Sequence, residues 1–569
     1  MRPPSTDLRL LPAAVACWGT CLLAVRMPPG AAAVGAACLV MAAVALATGA
    51  AGHARLGRAV GARGHARRTG ARAAEADGGP VVDPGRGDVR PRSGRPGSGR
   101  PGSGRPGATG SGDPAAAVTR RARWLRVRGH GVLVLVVCAA GLGSAASQRT
   151  VRDGGLLATL TAEGSVVRVV GTVRSEAVRL RSTTSWDGDG DRYRVDLGVE
   201  QVSGGGRTGP AAAPVLVLAG SAWRDVRYGA RVETLGVLEP TAAGDDAVAL
   251  LVVRGPPRTV TAPGPLDRGV ALVRQALLRV SDGLPPDQRG LVPGAAIGDT
   301  SRVPDDLDAA MRVAGLTHVT AVSGAHFAIV GATVLALTGL AGLPRTSRAG
   351  VVALAMVGFV LLVHPAPSVL RAAVMGGVGV SALVLGRPSR AVPALATCVL
   401  VLLVADPWLG ASIGFALSVV VTAGIVLGSG PLARGMTPLL SERAARLVAV
   451  PLAAQCACGP VVVLLASGLP TYAVPANLAA APALAPATVL GVLAALLAPW
   501  WPDGGVVCAR AAGWAVQWVA TVARVAAGLP AAHLPWPGPP LGPVLLAVAT
   551  AGIVVAVVRP RRGRSAASG

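Results

Sequence analysis

The sequence predicts a polytopic α-helical membrane protein into which a small β-barrel domain is inserted. Of its 569 residues, 51% are hydrophobic and only 15% are charged, a balance that is unusual for a soluble protein of this size. Several runs approach or exceed the roughly 20 apolar residues that a helix needs to cross a bilayer. Between two groups of such runs lies a stretch in which short segments of β-pattern alternate with turns.

All 54 basic residues are arginine, and the net charge is +25. Coding bias together with the excess of positive charge on cytoplasmic loops explains this charge, and attraction for a polyanion is the alternative explanation. The eight cysteines fall within apolar or amphipathic segments, so no disulfide framework is predicted. No spacing typical of metal ligands stands out, and we expect neither a metal nor another cofactor.

The N-terminal part of the chain contains three predicted membrane helices and a polar linker. Residues 1–50 are predicted to form a transmembrane hairpin, because two apolar runs follow each other across the short turn RMPPG. Residues 51–129 are rich in Arg, Gly and Pro and include three copies of SGRPG, so we expect a disordered linker in the cytoplasm. A transmembrane helix at 130–149 then leads outward.

Residues 150–263 are predicted to form the extracytoplasmic small β-barrel. About five β-patterned segments lie among turns rich in Gly and Asp, and the single preceding helix takes the chain out of the cytoplasm. Four aromatic residues fall in this domain, and they either stack nucleic-acid bases on its surface or form its core. These residues are Trp186, Tyr193, Trp223 and Tyr228.

Residues 264–560 are predicted to form a large membrane domain, followed by a cytoplasmic tail at 561–569. Its start is amphipathic, and a short helix at 303–315 carries acidic residues in its first turn. Residues 505–528 are predicted to form an amphipathic helix at the membrane interface, because Arg and Trp recur within them. Gly, Pro or charge interrupts several apolar runs, as in broken or re-entrant segments. The runs lie near residues 316–342, 349–364, 367–386, 391–405, 409–428, 447–469, 473–499 and 541–558.

Polar residues are placed inside or beside several of these apolar runs. An arginine at the centre of a membrane helix costs about 2.5–3.5 kcal/mol to insert, so such residues usually face the bundle interior or a watery cavity. An arginine, histidines and amides suit an anion or a polyanion better than a cation, which would need acidic residues. For Arg371, a functional role and a structural bond between helices are equal alternatives. The residues are His318, Ser323, Gly324, His326, Arg371, Asp406, Gln455 and Asn477.

The stretch THVTAVSGAHF at 317–327 has three alternative interpretations. A metal site is disfavoured because no carboxylates lie nearby and the two histidines are eight residues apart. An intramembrane serine hydrolase would use Ser323 as nucleophile and His326 as base, but no orienting residue is evident. The third interpretation, in which Ser–Gly breaks a helix and the freed backbone groups line a cavity, fits the pattern best.

Segments between about residues 280 and 485 resemble the motifs of the ComEC family of competence proteins. The stretch LPPDQRGLVPGAAIGDTSRVPDDLDAAMRVAGLTHVTAVSGAHFAIV is similar to the family signature. APSVLRAAVM, LVADPWLGASIGFALSVVVTAGIVL and VPANLAAAP are similar to three further family segments. The residues that match the signature are Gly298, Asp299, Gly315, His318, Ser323, Gly324 and His326.

The resemblance implies an OB-like fold for residues 150–263 and a channel in the bacterial cytoplasmic membrane. Such a channel passes single-stranded DNA inward during natural transformation. The implied partners are single-stranded DNA, membrane lipid, a DNA-receptor protein outside, a cytoplasmic ATPase or helicase and a separate nuclease, and a homo-oligomer is compatible with this function. On that basis the translocation-path candidates are Asp299, His318, Ser323, Gly324, His326, Arg371, Gln455 and Asn477.

Two features of nucleic-acid transport machines are not evident in the sequence. The seven histidines do not form the H-x-H-x-D-H pattern of the metallo-β-lactamase-like domain that many family members carry, so we expect a non-enzyme. No G-x4-G-K-[ST] loop occurs, so the energy for transport is expected from an ATPase partner, the proton gradient or DNA binding in the cytoplasm. Two alternatives to the DNA channel belong to other functional classes. One is the intramembrane serine hydrolase, and the other is a transporter or envelope scaffold unrelated to DNA.

Overall fold

The computed structural model describes residues 7–46, 114–180, 191–242, 244–320, 322–386, 390–465 and 468–559, with side chains from residue 127 onward in the second range. Most of the predicted linker, the predicted tail and the stacking candidate Trp186 lie outside the described residues. The described parts of residues 37–136 form one unit, and the other described residues form a second unit.

Within these ranges, nine helices are long and apolar enough to cross a membrane, which agrees with the predicted class of polytopic helical membrane protein. They are α2 (Pro29–Leu46), α3 (Pro114–Arg152), α9 (Arg345–Val363), α10 (Pro367–Leu385), α12 (Ile413–Met436), α13 (Glu442–Val462), α14 (Ala473–Leu497), α15 (Pro502–Gly528) and α16 (Leu541–Val558). Shorter helices are α1 (Leu11–Ala24), α4 (Leu156–Ala162), α5 (Pro265–Ser281), α6 (Pro286–Ile297), α7 (Asp305–Val313), α8 (Gly324–Leu340) and α11 (Ala391–Ala405).

Two helices differ from the sequence prediction. Helix α3 begins at Pro114 rather than at residue 130, because residues 114–129 are rich in the strong helix formers Ala and Arg. Helix α15, predicted to lie at the interface, is long and apolar enough to span. Trp514 and Trp518 occupy its exposed side, and Arg524 forms ion pairs with Asp287 and Asp306. The residues that made the helix look interfacial therefore lie beside an Ala- and Val-rich face that is buried.

The described residues of the β-domain form seven strands where about five were predicted. The segment VVRVVGTVRSEAVRL, expected as one strand, forms two strands that are separated at residues 174–177. The strands are β1 (Val166–Val173), β2 (Val178–Leu180), β3 (Arg192–Gly204), β4 (Arg207–Ala219), β5 (Arg231–Pro240), β6 (Ala249–Val253) and β7 (Arg258–Thr261). A further two-stranded sheet joins β8 (Gly468–Pro470) and β9 (His533–Pro535) at the membrane domain.

The pairings of the β-domain strands run β1–β3–β4–β6–β5, and β5 pairs with β1 in turn. Strands β4 and β6 are parallel, whereas the other pairs in this series are antiparallel. Along β1, exposed and buried residues alternate, so one face of the sheet packs inward. The buried face consists of Val, Leu and Ala side chains around Trp223.

The buried cores of the membrane domain are built mainly from alanine, valine and leucine. One core joins α5, α6, α7, α14 and α15, and another joins α8, α9 and α10. Two more join α1 with α11 and α12, and α12 with α13 and α16. Alanine side chains let helix backbones approach closely, which is how helices associate when burial from water does not drive them together.

Candidate functional site

The first group of candidate residues lies at the N-terminus of α8. Ser323 is extended and caps the helix, and it forms a capping box with His326. The Ser323 backbone N–H donates to His326 Nδ1 at 3.0 Å, and Ser323 Oγ lies 3.0 Å from the same nitrogen. Because Nδ1 accepts the backbone N–H, the proton of the neutral ring resides on Nε2. His326 is only 1% exposed, and Nε2 is buried without a partner among the described residues.

Arg371 reaches this helix terminus from α10, one turn inside the helix start at Pro367. Arg371 is only 6% exposed. Nε donates to Ser418 Oγ of α12 at 2.6 Å, and Nη1 lies 3.4 Å from Met375 Sδ. A Cβ at Gly324 would lie 2.7 Å from Arg371 Nη2, so glycine lets the guanidinium approach the backbone of α8.

The Arg371 guanidinium is a cation without a close counter-charge. No carboxylate of the described residues lies within 4.0 Å of the guanidinium. The adjacent α8 terminus adds the partial positive charge of a helix N-terminus. A buried cation without a counter-charge is costly, and these donors together match the oxygen atoms of an anion. The arrangement can therefore bind a phosphate or another oxyanion.

A second pair of candidates meets at Gly315, which has a left-handed φ of 70°. Asn477 Nδ2 donates to the Gly315 carbonyl at 3.4 Å and to the Ala473 carbonyl at 2.7 Å. His318 hydrogen-bonds the backbone of the same glycine and lies in a short 3-10 turn. No hydrogen bond or ion pair found among the described residues joins this pair to Arg371.

Asp299 follows the left-handed Gly298 that ends α6. Its Oδ1 accepts from the Ser301 backbone N–H at 3.0 Å and from the Ser301 hydroxyl at 2.6 Å. Its Oδ2 lies 4.0 Å from Nη2 of Arg274. Asp299 therefore organises a loop and approaches a different arginine.

Two further polar residues stand apart from the Arg371 site. Gln455 lies in α13, where Cys458 Sγ is 3.9 Å from its Oε1, and no contact found among the described residues joins it to Arg371. Asp406 follows α11, and its Oδ1 accepts from the Trp408 backbone N–H at 3.1 Å. Asp406 thus caps a short 3-10 turn, as Asp commonly does.

Val322 connects the α8 terminus to the ends of three other helices. A Cβ at Gly298 would lie 3.5 Å from Val322 Cγ2 and 3.6 Å from Val363 Cγ1. The Ser368 hydroxyl of α10 donates to the Val322 carbonyl at 3.4 Å. Val322, the residue next to Ser323, therefore lies beside the turn that ends α6, shares a hydrophobic cluster with Val363 at the end of α9 and accepts a hydrogen bond from the start of α10.

The stacking candidates of the β-domain are engaged inside the protein. Trp223 is fully buried, and its Nε1 donates to the Gly255 carbonyl at 3.0 Å, so its ring belongs to the core. Tyr193 is also buried. Tyr228 stacks on His364 at the end of α9, with ring centroids 4.2 Å apart and planes 12° apart. Trp223 and Tyr193 thus lie where the alternative of a core role places them, and the half-buried Tyr228 contacts the membrane domain.

Three residues that sequence reasoning did not single out take part in the geometry. Ser418 lies in the quoted GFALS segment, and its hydroxyl in an apolar helix was the available signal. Arg274 lies on the buried face of amphipathic α5, where an arginine is unexpected. Glu176 interrupted a predicted strand, and in the structure it binds Arg274.

The other chemical interpretations find less support in the geometry. Ser323 and His326 are within hydrogen-bond distance, but the bond to the Ser323 backbone N–H is the ordinary capping-box contact of a helix start. The unpartnered Nε2 shows no acidic residue that would orient the ring as a base. No group of three metal-ligating side chains is found in the part of the chain that the structure describes.

The fold and the site define a class: a multi-pass helical membrane protein with a separate β-domain and a buried cationic site inside its bundle. Residues 296–561 match a family model described as Competence protein. This range contains the Arg371 site, the His318–Asn477 pair and Asp299. Residues 296–561 are therefore a Competence protein domain, and the resemblance to the ComEC family is confirmed.

The chain is also similar to ComE operon protein 3 of Bacillus subtilis (strain 168). The two are 30% identical over 214 residues, which are 37% of this chain and 27% of that relative. The matched part of the chain thus spans about a quarter of the length of the curated relative. No solved structure matches the chain at a significant level.

Proposed function

We propose that this chain forms a channel in the cytoplasmic membrane that passes single-stranded DNA into the cell during natural transformation. The observation that carries the proposal is Arg371, a buried guanidinium in a Competence protein domain that meets no carboxylate within 4.0 Å among the described residues. A family role in competence supports DNA uptake, and the positive site supports an anionic cargo.

The chemistry of Arg371 fits a moving phosphate better than a fixed structural partner. Its Nε is held by Ser418, which aims the rest of the planar fork toward the α8 terminus. Arginine binds phosphate oxygens in two parallel hydrogen bonds, and helix N–H groups add further donors. A channel must bind its cargo well enough to admit it and weakly enough to release it. One cation beside neutral donors suits that requirement.

The β-domain is proposed to be an OB-like barrel on the outer side of the membrane. Support comes from the closed series of pairings with its one parallel pair, and from contacts of this domain with the ends of α3 and α9. In this scheme the linker 51–129 and the tail 561–569 are cytoplasmic, whereas residues 264–560 form the channel. A DNA receptor outside, a cytoplasmic ATPase or helicase and a separate nuclease are the proposed partners.

Two alternatives remain as outcomes of the test. The 3.0 Å distance between Ser323 Oγ and His326 Nδ1 is the observation that favours an intramembrane serine hydrolase. A transporter or envelope scaffold unrelated to DNA would use the same polar cluster for another cargo. We propose the non-enzymatic channel because the capping box accounts for the serine and histidine, whereas it does not account for Arg371.

The first experiment follows labelled duplex DNA in a clean deletion strain and in the complemented strain. Label that resists external DNase is scored separately from label bound at the surface. Loss of protected label with retained surface label would identify this chain as the membrane conduit. Unchanged protected label would remove DNA from the proposal, and an altered envelope or export phenotype would then favour the transporter or scaffold.

A further inference from the structure

The β-domain is joined to the membrane domain at Arg274 of α5. Nη1 of this arginine donates to the Ile297 carbonyl at 2.8 Å and to the Leu362 carbonyl at 2.7 Å, at the ends of α6 and α9. Nη2 donates to Glu176 Oε2 at 2.7 Å, and Glu176 belongs to the β1–β2 connection of the β-domain. One guanidinium therefore binds two helix ends and the β-domain. We call these four groups the Arg274 joint.

Arg274 is buried and its charge is balanced, whereas the Glu176 side chain is 42% exposed. Arg274 is only 5% exposed, so its cation needs a counter-charge. Glu176 supplies that charge directly, and Asp299 Oδ2 adds a weaker interaction at 4.0 Å. The two carbonyls are the negative ends of helix dipoles, which also favour a cation. Partial burial raises the pKa of Glu176, and the charge of Arg274 opposes that effect.

The joint is directly connected to the Arg371 site. A Cβ added at Gly298, the residue after Ile297, would lie 3.5 Å from Val322 Cγ2, and Val322 immediately precedes the α8 cap Ser323. Val363, the residue after Leu362, belongs to the same hydrophobic cluster as Val322. The ends that Arg274 holds are therefore the ends against which the α8 terminus packs.

A second contact holds the β-domain to the membrane domain elsewhere. The Arg152 guanidinium at the end of α3 lies 3.7 Å above the Trp408 ring and donates to the Asp246 carbonyl of the β5–β6 connection. Gln148 Nε2 donates to the Ala405 carbonyl at 2.9 Å, which ties the end of α3 to the end of α11. Two separate loops of the β-domain are thus anchored on helix ends.

The described surface of the β-domain lacks the features of a nucleic-acid reader. Residues 150–263 contain thirteen arginines and thirteen acidic residues, so the domain carries no net charge within a chain of +25. Its described aromatic rings are buried or stacked at the joint. A cavity of about 280 Å³ lies beside β3 and β4. Three aspartates line it, Asp196, Asp245 and Asp246, whereas Arg194 is the one arginine in its lining. Such a lining repels phosphates.

From these observations we infer that Arg274 is a positioning residue, through which the β-domain acts as a structural brace that sets the α8 terminus beside Arg371. The β-domain serves the membrane domain mechanically and does not bind the incoming strand itself. This inference rests on the proposed function only where it concerns uptake, because the brace can be measured without DNA.

The direct test is hydrogen exchange, followed by mass spectrometry, on the full chain in lipid nanodiscs. Glu176→Gln removes the counter-charge and should raise exchange at residues 297–303, 322–326 and 362–368 by about tenfold, since hydrogen bonds to charged groups are the strong ones. Glu163→Gln is the matched control, because Glu163 pairs with Arg207 inside the β-domain. Glu176→Asp keeps the charge, so it should recover most of the protection against exchange. If Glu176→Gln accumulates poorly, Glu176→Asp is compared with the wild type in its place.

The same variants are scored for DNase-protected label in cells. We expect Glu176→Gln to lower protected label about tenfold while surface label and protein level stay unchanged. Unchanged exchange in Glu176→Gln would overturn the brace. Raised exchange with normal uptake would overturn the positioning role. Absence of protected label even in the wild type would defeat the proposed function and leave the exchange result valid.

Photo-cross-linking of single-stranded DNA to the full chain separates bracing from binding. Cross-linked peptides should come from residues 296–561, which hold the Arg371 site. Peptides from β3 or β4 would show that the β-domain contacts the strand, and that outcome would overturn the inference.

Discussion

At Arg371, a guanidinium is held inside the bundle by a serine hydroxyl and a thioether, with no carboxylate within 4.0 Å among the described residues. Its burial is therefore unfavourable for folding unless an anion is bound. A residue that lowers stability while it serves binding shows the trade-off typical of functional sites. The alternative is a bond that joins α10 to α12 for stability alone.

Arg371→Met separates these two roles. Because methionine keeps an apolar chain and removes the unpaired cation, we expect the free energy of unfolding to rise by about 1–2 kcal/mol, even though Ser418 loses its partner. Uptake of protected DNA should fall at least about tenfold, as a lost phosphate contact implies. Thermal unfolding in detergent and the uptake assay measure the two effects.

The matched control is Arg348→Met in α9, where the arginine donates to the Leu335 carbonyl at 3.4 Å. It should leave uptake unchanged. A lowered unfolding temperature in Arg371→Met, together with normal uptake, would assign Arg371 to the structural alternative.

Gly324→Ala tests the close approach of the guanidinium to α8. The new Cβ would lie 2.7 Å from Nη2, so the arginine must move away from the helix terminus. Because the clashing atom ends a flexible side chain, we expect a stability change of no more than about 1 kcal/mol but a clear loss of uptake. Gly331→Ala, whose Cβ would meet Met356 Cε at 3.7 Å, is the control on the same helix. Equal uptake in both variants would contradict the proposed contact.

Ser323→Ala distinguishes a helix cap from a nucleophile. Loss of an N-cap side chain costs about 1 kcal/mol of stability, so we expect a small drop in unfolding temperature and uptake that stays within a few-fold of wild type. A serine-directed probe should not label the wild-type protein at this position. Labelling of Ser323 that disappears in the variant would instead support the hydrolase.

At the scale of elements, the end of α9 meets the β-domain through His364. This residue has a positive φ of 67° and stacks on Tyr228, and its Nδ1 lies 3.8 Å from Glu176 Oε1. Burial, and then the charge of Arg274, lower the pKa of His364 to about 4. The folded protein therefore favours the neutral ring over the imidazolium.

The pH dependence of this contact follows from that direction. The contribution of His364 to stability is complete above its unfolded pKa of about 6.5 and is lost as the pH falls toward 4. We expect the unfolding temperature of the full chain to fall between pH 6.5 and 4.5, and to fall less in His364→Asn. His533→Asn, at an exposed position in β9, is the control. Parallel curves for wild type and His364→Asn would refute the assignment to His364.

For the whole molecule, the ends of α3 and α9 contact the β-domain, and Arg274 joins Glu176 of that domain to the ends of α6 and α9. Val322, beside the α8 terminus, lies next to the ends of α6 and α9. The Arg371 site is therefore at the end of the bundle that carries the β-domain. If the β-domain is extracytoplasmic, an incoming strand meets this site early in its passage. Ser418, which binds Arg371, lies near the start of α12, and the connection between α12 and α13 lies at the opposite end of α12.

Cysteine labelling tests this orientation. Ser221→Cys in the β-domain and Ser441→Cys between α12 and α13 both introduce a thiol at an exposed position. We expect a membrane-impermeant maleimide to label Ser221→Cys on intact cells, and to label Ser441→Cys only after permeabilisation. The parent chain with its eight cysteines provides the background. The reverse pattern would place the β-domain in the cytoplasm.

Hydropathy and strand pattern were sufficient to predict that this is a polytopic helical membrane protein with an inserted β-domain. Long apolar runs predicted the spanning helices because a bilayer demands length and apolarity over a continuous segment, and such demands are local. Alternation of apolar and polar residues likewise located the β-domain. The quoted motifs predicted the competence family, and the match of residues 296–561 confirmed it.

The grouping of the polar residues was decided by tertiary structure. Ser323, Gly324, His326 and Arg371 meet at one helix terminus, whereas Gln455, Asp406 and Asn477 occupy other places, although all interrupted apolar runs alike. Hydropathy reports that a polar side chain is enclosed but not which neighbour it meets. That neighbour depends on how helices distant in sequence cross, which no local pattern encodes.

The sequence by itself determined a multi-pass helical protein with a β-domain inserted between its helices and with motifs of the competence family in its membrane domain. Only the tertiary structure decided that Tyr193 and Trp223 are buried in the β-domain, and that Arg274 joins Glu176 to the ends of α6 and α9. The physical reason is that apolarity and periodicity act along the chain, whereas a buried charge is stabilised by whichever groups the fold brings to it.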